Sequence, residues 1–421
     1  MPNSPEYGAT IVGAGPTGLT AALAVAKSGI DVALIAAPHN PAAAGTDTRT
    51  AALFKNSLTL LSNLGAWKAC EPASAPLNAI RLIDDTGALL RAPEVVFEAS
   101  EIGHDLFGYN VPQQTLVAAL RQVAMEFGPG VTVVESAGVT GIAVDPDRAS
   151  LTLAEGQTLT TQLIIGADGR QSICRRAAGI AATSHAYDQA ALACTFTHAA
   201  PHRGISTEFH RRAGPMTTVP MPGQASSLIW VEHPDVARRL ATGNPTNFRN
   251  TLQDNLQGLL GKVRDVGPRV VFPLSMMSSE TMGRNRIALV GEAAHVAPPI
   301  GAQGLNLSFR DIATLADLLH TAKKQNGDLG SEDLLRRYDD ARSGDVHSRA
   351  RAVDLLNHSL TSQFIPVQLL RGAGVHALKA VSPLRRRVMA AGLAPAGDPP
   401  PLMRAEATRQ SATFASERTT L

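Results

Sequence analysis

Gly13, Gly15 and Gly18 stand at the spacing Gly-x-Gly-x-x-Gly, with Ala14, Pro16 and Thr17 between them. That spacing suits a dinucleotide pyrophosphate. The first glycine permits a tight turn, the second lets the backbone approach the phosphates, and the third lets a helix lie close to its strand. The free N–H groups of the helix start then face the anion. On its own the motif serves FAD and NAD equally. A second constellation is Gly166-Ala167-Asp168-Gly169-Arg170-Gln171-Ser172 with Arg175, where a buried strand delivers an acid and a glycine onto a helix start. By itself it reads as an ordinary turn with Ser172 capping a helix. The third runs Gly291-Glu292-Ala293-Ala294-His295, then Pro298-Pro299-Ile300-Gly301-Ala302-Gln303-Gly304-Leu305-Asn306. Gly301 and Gly304 flank a helix start whose amides would stabilise an anion, and a reduced flavin is negative near N1 and the C2 oxygen. The plainer reading is a capped helix with Asn306 a polar surface residue.

The elements that must position these residues follow from periodicity. Residues 8–13 are a short apolar run, 16–28 carry Leu19, Leu23 and Ala26 at helical spacing and stop at Ser28-Gly29, and 31–36 form a second buried run. Together they make a βαβ unit. Its second strand normally ends in an acid that binds the adenosine ribose; here that position is Ala36. Residues 48–67 read as a helix with Leu53, Leu58, Leu61 and Leu64 inward, and 114–127 as another amphipathic helix. Strands are expected at 131–134, 139–144, 150–154 and 162–167. From Leu192 to Glu232 the runs LACTFTH, STEFHRR, MTTVPMP and SSLIWVE, separated by Pro and Gly, predict an antiparallel meander. Residues 234–262 are mainly helical, Val270–Leu274 and Arg286–Val290 are strands, and a helix runs on to His320. Residues 332–393 are mostly helical, and the Pro-rich polar chain from Ala396 predicts a disordered tail.

Composition excludes several classes. The 421 residues are 44% hydrophobic with a net charge of +2, so a large core is available and no nucleic-acid footprint stands out. Cys70, Cys174 and Cys194 are odd in number and widely spaced, which argues for a reducing compartment and against a zinc site. The uncharged stretch 9–26 mimics a signal peptide, but residues 1–8 hold Glu6 and no Lys or Arg.

In order and spacing the three motifs resemble those of the class A flavoprotein monooxygenases, the para-hydroxybenzoate hydroxylase type. Within that class the chain is most similar to the ubiquinone-biosynthesis hydroxylases of the UbiH/UbiF/VisC family. The residues carrying the closer match are Asp47-x-Arg49-x-x-Ala52-Leu53, Leu64-Gly65-Ala66-Trp67, Gly108-Tyr109, Glu208-Phe209 through Ala213-Gly214-Pro215, Gly291 to Leu315, and Tyr338-x-x-x-Arg342-x-x-Asp345. The likeness spans roughly residues 8–395.

The resemblance implies an α/β fold: a Rossmann-like FAD-binding domain (1–75, 101–185 and 280–350), an inserted antiparallel-sheet substrate domain (76–100 and 186–279), a C-terminal helical region (351–395) and the tail (396–421). It implies that Gly13, Gly15, Pro16, Thr17 and Gly18 hold the FAD pyrophosphate, with Arg49 near the phosphates or ribityl chain. One of Gln113 and Gln114, Gln113 being preferred, contacts the cofactor. Asp168 and Gly169 serve FAD and the nicotinamide donor. Gly291 and Glu292 stand at the ribityl chain, Glu292 where the class usually has Asp. Gly301, Gln303, Gly304, Leu305 and Asn306 line the isoalloxazine, and Pro298 presents a backbone carbonyl near the reacting ring.

The implied cycle is reduction of FAD by NAD(P)H, reaction with O2 to a C4a-hydroperoxide, and OH transfer to an electron-rich phenol. The cofactor carries the hard step, and the protein must keep water out. His210 is the candidate on the substrate face, although His210, Arg211 and Arg212 read more simply as a solvated charged face. Polyprenylated phenols partition into bilayers. The expected location is therefore cytoplasmic, with peripheral contact at the inner membrane face or with a quinone-biosynthesis complex. Phe364-Ile365, Val367, Leu369-Leu370 and the Arg385 cluster are the candidate patch, and helices packed on the FAD domain the simpler account. Three alternatives stay open on the residues: a hydroxylase of a soluble phenol or aromatic acid, a flavin reductase without oxygen insertion, and a flavin-binding subunit without turnover.

Overall fold

The computed structural model describes residues 5–38, 47–87, 91–362, 365–393 and 397–405, with the side chains of 365–369 and 371 outside that set. The apolar stretch that mimics a signal segment is buried inside the fold. Strand β1 (Glu6–Val12) turns through the glycine loop into α1 (Pro16–Ala26), which leads to β2 (Val32–Ala36). Every residue of α1 from Gly18 to Ala26 is buried. A helix enclosed on all sides must be apolar all round, and its many alanines let it lie close to its neighbours.

The chain continues through β3 (Thr50–Phe54), α2 (Lys55–Asn63), β4 (Ala79–Asp84), β5 (Gly108–Pro112), α3 (Gln113–Glu126), β6 (Val131–Glu135), β7 (Thr158–Gly166) and α4 (Ile173–Ala177). Next come β8 (Ala182–His198), β9 (Ile205–His210), β10 (Met216–Met221), β11 (Ala225–Glu232), β12 (Val270–Ser279) and β13 (Ile287–Leu289). The helices α5 (Gln303–Lys324), α6 (Glu332–Thr361), α7 (Ile365–Ala380) and α8 (Ser382–Leu393) follow.

Five parallel strands in the order β13-β7-β1-β2-β6 form the centre of one sheet. Val12 pairs with Gly166, and Gly166 with Leu289. Each motif begins just past one of these strand ends, so parallel registry alone brings all three to one edge. Ligands of open α/β sheets bind at that carboxyl edge.

The second sheet runs β12-β8-β11-β10-β9-β4. It is antiparallel except that β9 pairs in parallel with β4, from Ile205↔Ala79 to His210↔Asp84. The expected meander is real for β9-β10-β11, but β8 pairs with β11 rather than continuing it.

Two further expectations are corrected. Residues 48–67 are not one helix, because Thr50–Phe54 is a strand paired antiparallel with β5. Gly108 makes the pairing possible: a Cβ there would lie 1.9 Å from the Leu53 carbonyl oxygen. Residues 397–405 are not a solvated tail. Met403 is buried, and the Asn63 amide donates to the carbonyls of Leu402 (2.8 Å) and Arg404 (3.1 Å). The remainder of that expected tail, 406–421, lies outside the described residues.

Candidate active site

The glycine loop has the stereochemistry its sequence demands. Gly13 has φ +105°, and a Cβ on it would meet the Ala167 carbonyl oxygen at 2.6 Å. A Cβ on Gly18 would sit 1.8 Å from the Gly13 carbonyl oxygen. Gly15 differs, since nothing among the described residues lies within 4 Å of its Cβ position. Its missing side chain therefore leaves space for something other than protein. No side chain caps α1 and no acid sits in its first turn. The Leu19 amide makes a helical bond to the Gly15 carbonyl at 3.0 Å, so the amides before it remain for an anion. An open cradle, an uncapped helix start and a first turn without an acid fit the pyrophosphate of FAD.

The other motifs close on this loop. Gly291, at φ +60°, packs its open side on Thr17 and Ser308. Arg175 donates to the Ala293 carbonyl (2.7 Å) and the Arg170 carbonyl (2.8 Å), tying the second motif to the third. Asp168 accepts from the Ser172 hydroxyl (2.6 Å) and the Cys174 amide (3.1 Å), which anchors the start of α4. Gly169 adopts φ +77° with open space beside it.

Arg49 is held by a bidentate pair with Asp47, both bonds at 2.7 Å. That bond, with Glu292 contributing, raises the Arg49 pKa; burial opposes the shift. Glu292 is exposed and pairs with Arg170 at 3.2 Å. Arg49, Glu292 and Arg170 thus form a polar rim of alternating charge. The Gln114 amide donates to the Asp47 carbonyl at 2.7 Å. The Gln113 side chain has no such bond among the described residues and is the better placed of the two for a ligand.

The third motif supplies a second open helix start. Gly301 (φ +67°) and Ala302 (φ +53°) swing the chain into α5, which has no side-chain cap and no acid in its first turn. The Cβ position of Gly304 is open. Leu305 packs partly against the core. The Pro298 carbonyl accepts the Ile300 amide at 2.7 Å, which fixes the turn before the helix.

Two of the residues expected to line the isoalloxazine also tie the fold together through their side chains. Asn306 is buried rather than at the surface. Its amide donates to the carbonyls of Ala52 and Ala302, both at 2.7 Å, and accepts from the Phe54 amide (2.9 Å) and the Ser57 hydroxyl (2.7 Å). With all four bonds used inside the protein, it locks α5 onto β3 and α2. Gln303 donates to the carbonyls of Gly301 and Gly392 and accepts from Arg349, so its side chain serves the join with α8. Asn306→Ala is expected to lower stability by about 2–3 kcal/mol, since it strands a buried amide and hydroxyl. Denaturant unfolding measures this, and an unchanged midpoint would refute the assignment.

Below the third motif lies a buried charge network that sequence reading left without a role. Asp311, fully buried on α5, accepts from the Gly291 amide (3.2 Å), His295 (2.7 Å) and Arg342 (2.9 Å). Burial pushes its pKa up, but His295 and Arg342 outweigh that and hold it below the usual value. Asp345 bonds Arg310, Arg342 and Arg349. Arg349 continues to the carbonyls of Ala391 and Gly392. The signal available in sequence was Arg310-Asp311, two charges inside an otherwise apolar helical run.

Burial pushes Asp345 up as well, yet its three arginines bring it to about 2. A carboxylate held low in the folded state takes up its proton more readily when unfolded. Its stabilisation is complete above about pH 4 and falls away as the pH drops towards 2. The melting-temperature gap between wild type and Asp345→Asn should therefore be wide at pH 7 and narrow at pH 3; a gap independent of pH would contradict this.

The sheet face holding His210 is not solvated. His210 and Arg211 are both buried, and His210 bonds Glu208 at 3.0 Å. Arg211 stacks 5.5 Å over Phe209 and over Trp230, on the opposite face, and pairs with Asp85. Registry places Ser227, Val219 and Ser206 on one face, with Glu208 and His210 at the next alternate positions of β9. Ser227 accepts from Asn110 and bonds Thr50, so this face looks onto β3 and β5. The three cysteines are buried, and burial raises Cys70 to about 11 and Cys194 to about 12.

Residues 6–352 match the family model described as FAD binding domain. The chain is 35% identical over 399 residues to the ubiquinone hydroxylase UbiL of Rhodospirillum rubrum, covering 94% of this chain and 92% of that protein. It is 29% identical to the 3-demethoxyubiquinol 3-hydroxylase of Escherichia coli, covering 92% and 98%. Among solved structures, p-nitrophenol 4-monooxygenase PnpA from Pseudomonas putida superposes with a TM-score of 0.75 at 18% identity, covering 93% of this chain and 99% of that one, a likeness of fold.

Proposed function

Because the chain belongs to the FAD-binding-domain family, and within it to the ubiquinone hydroxylases, we propose that it hydroxylates the aromatic ring of a polyprenylated ubiquinone precursor, with O2 as oxygen source, NAD(P)H as electron donor and a flavin C4a-hydroperoxide as the oxygenating species. FAD, when bound, supplies the oxygen activation. The chain's own residues bind it through the Gly13–Gly18 loop and the start of α5, and hold the ring-facing sheet against it.

One observation carries the choice of substrate. The sheet face bearing Glu208 and His210 runs directly into an apolar layer. There Ile80, Leu82 and Val219 of the sheet, and Val375, Leu378 and Leu393 of α7 and α8, pack against one cluster with Phe97, Phe107 and Met389. A polar pair beside an apolar layer suits a phenol head with an isoprenoid tail. Quinone intermediates should accumulate in a deletion strain, and the accumulated species names substrate and ring position together. A normal quinone profile would sink the assignment and favour a soluble phenol. Rapid mixing of reduced protein, substrate and O2 tests the oxygenation step separately.

Such a substrate calls for contact with a bilayer. Among the described residues no helix is long and apolar enough to cross a membrane. Leu370, Val381, Leu384 and Val388 are exposed beside Arg386 and Arg387, a combination suited to interfacial binding. Phe364 and the side chains of Ile365, Val367 and Leu369 lie outside the described residues. Wild type should co-float with anionic vesicles and an L384S/V388S variant should not; equal flotation would remove this surface from the account.

A further inference from the structure

The ordinary acid at the end of the second strand is replaced by Ala36, so the adenosine ribose lacks its usual partner. We propose that Glu135, one strand further out, takes that role and binds the ribose hydroxyls of FAD. This rests on the assignment of FAD as the cofactor.

Position is the first argument. β2 and β6 are parallel, and Ala36 pairs in register with Glu135. Registered neighbours in a parallel sheet point their side chains to the same face, and the strands lie about 4.8 Å apart. Glu135 therefore offers a carboxylate on the face, and at the carboxyl edge, where the missing acid would stand. Arg121 of α3 lies 4.0 Å from it, and α3 packs on α1, whose N-terminus is assigned to the pyrophosphate. The face is therefore the one the dinucleotide follows.

Availability is the second. The Glu135 side chain is 60% exposed, and Arg121 at 4.0 Å is too distant for a hydrogen bond. Among the described residues neither carboxylate oxygen accepts a hydrogen bond, which leaves both to accept from a diol. Ala36, by contrast, is buried and has nothing to offer.

Support from behind is the third. The Ser136 amide donates to the Ala36 carbonyl at 2.9 Å, so the two strands stay paired to their ends. Glu155 reaches across from the neighbouring hairpin. It accepts from the Ser136 hydroxyl (2.6 Å) and the Ala137 amide (2.9 Å), and these bonds lower its own pKa. The turn after Glu135 is thus fixed, while the Glu135 side chain meets Arg121 only at ion-pair distance, 4.0 Å. A carboxylate presented from a braced strand end suits ligand binding better than a surface ion pair.

The test is equilibrium binding to the apoprotein of FAD and of an FAD analogue lacking both adenosine ribose hydroxyls, read by quenching of flavin fluorescence. Wild type should prefer FAD by about tenfold or more, the range of hydrogen bonds to a charged acceptor. Glu135→Ala should bind the two alike, and Ala36→Glu added to it should restore the preference by returning the acid to β2. Glu135→Ala should keep the wild-type melting temperature, since the side chain is exposed. Full preference for FAD in Glu135→Ala would overturn the proposal, as would an equal weakening of both ligands. A wild-type chain that binds neither ligand would instead sink the cofactor assignment itself.

Discussion

Gly18→Ala is expected to abolish a stable cofactor-binding core, whereas Gly15→Ala should fold normally and lose FAD. The two glycines lie three residues apart in one motif, but their surroundings differ in kind. A methyl on Gly18 would lie 1.8 Å from the Gly13 carbonyl oxygen and 3.3 Å from the Ala167 side chain. The obstacle is backbone, so relief requires moving α1 away from the loop, and α1 is buried from Gly18 onward. Overpacking of this kind costs about 1–3 kcal/mol or more, here in the helix around which the core is built. A methyl on Gly15 meets no atom of the described residues within 4 Å; it enters the space assigned to the pyrophosphate. The measurements are apoprotein melting temperature and FAD affinity for each variant. A Gly15→Ala protein that binds FAD as tightly as wild type would remove the loop from the phosphate site.

Arg342→Met carries the second large effect. Arg342 donates to Asp311 and pairs with Asp345 at 2.9 Å, and all three side chains are buried. Removing it leaves Asp311 with His295 and the Gly291 amide, and Asp345 with two other arginines. Breaking a buried pair typically costs about 3–5 kcal/mol because a charge stays behind. The loss should also reach the cofactor, since the Gly291 amide hangs on Asp311. Arg336→Met is the control on the same helix. Arg336 is exposed and bridges Asp333 and Asp340, and surface pairs of that kind are worth about 0–1 kcal/mol. The expected result is a large fall in the denaturation midpoint for Arg342→Met and almost none for Arg336→Met. Equal midpoints would show that the network is not a keystone.

Much of the cofactor site was legible because its signals are local. A glycine needed for positive φ or close approach announces itself at its own position, and Gly13, Gly18 and Gly291 are each forced by a contact or a dihedral. Asn306 is more than the polar surface residue of the plainer reading, because its side chain is buried and bonded. Its spacing after Gly301 pointed to a helix start, but its four partners come from residues as far away as Ala52 and Ser57 in sequence. Gln303 followed the same course, drawn towards Arg349 and Gly392. Thr50–Phe54 was read as helix because its apolar spacing joins smoothly onto α2. The strand exists only because β5 lies beside it, and pairing with a distant segment overrides local propensity.

The sequence by itself determined the family, the cofactor and the turn chemistry of the three motifs, since these rest on short-range stereochemistry and on order along the chain. Only the tertiary structure decided which polar residues are free to meet a ligand and which are already occupied. The side chains of Asn306 and Gln303 bond inside the protein, Asp168 anchors the start of α4, the Gln113 side chain has no bond among the described residues, Glu135 meets Arg121 only at 4.0 Å, and His210 is buried on the face turned towards β3 and β5. A side chain's chemistry is written in its own identity. Its availability depends on partners brought together across the fold, and spacing along the chain does not encode them.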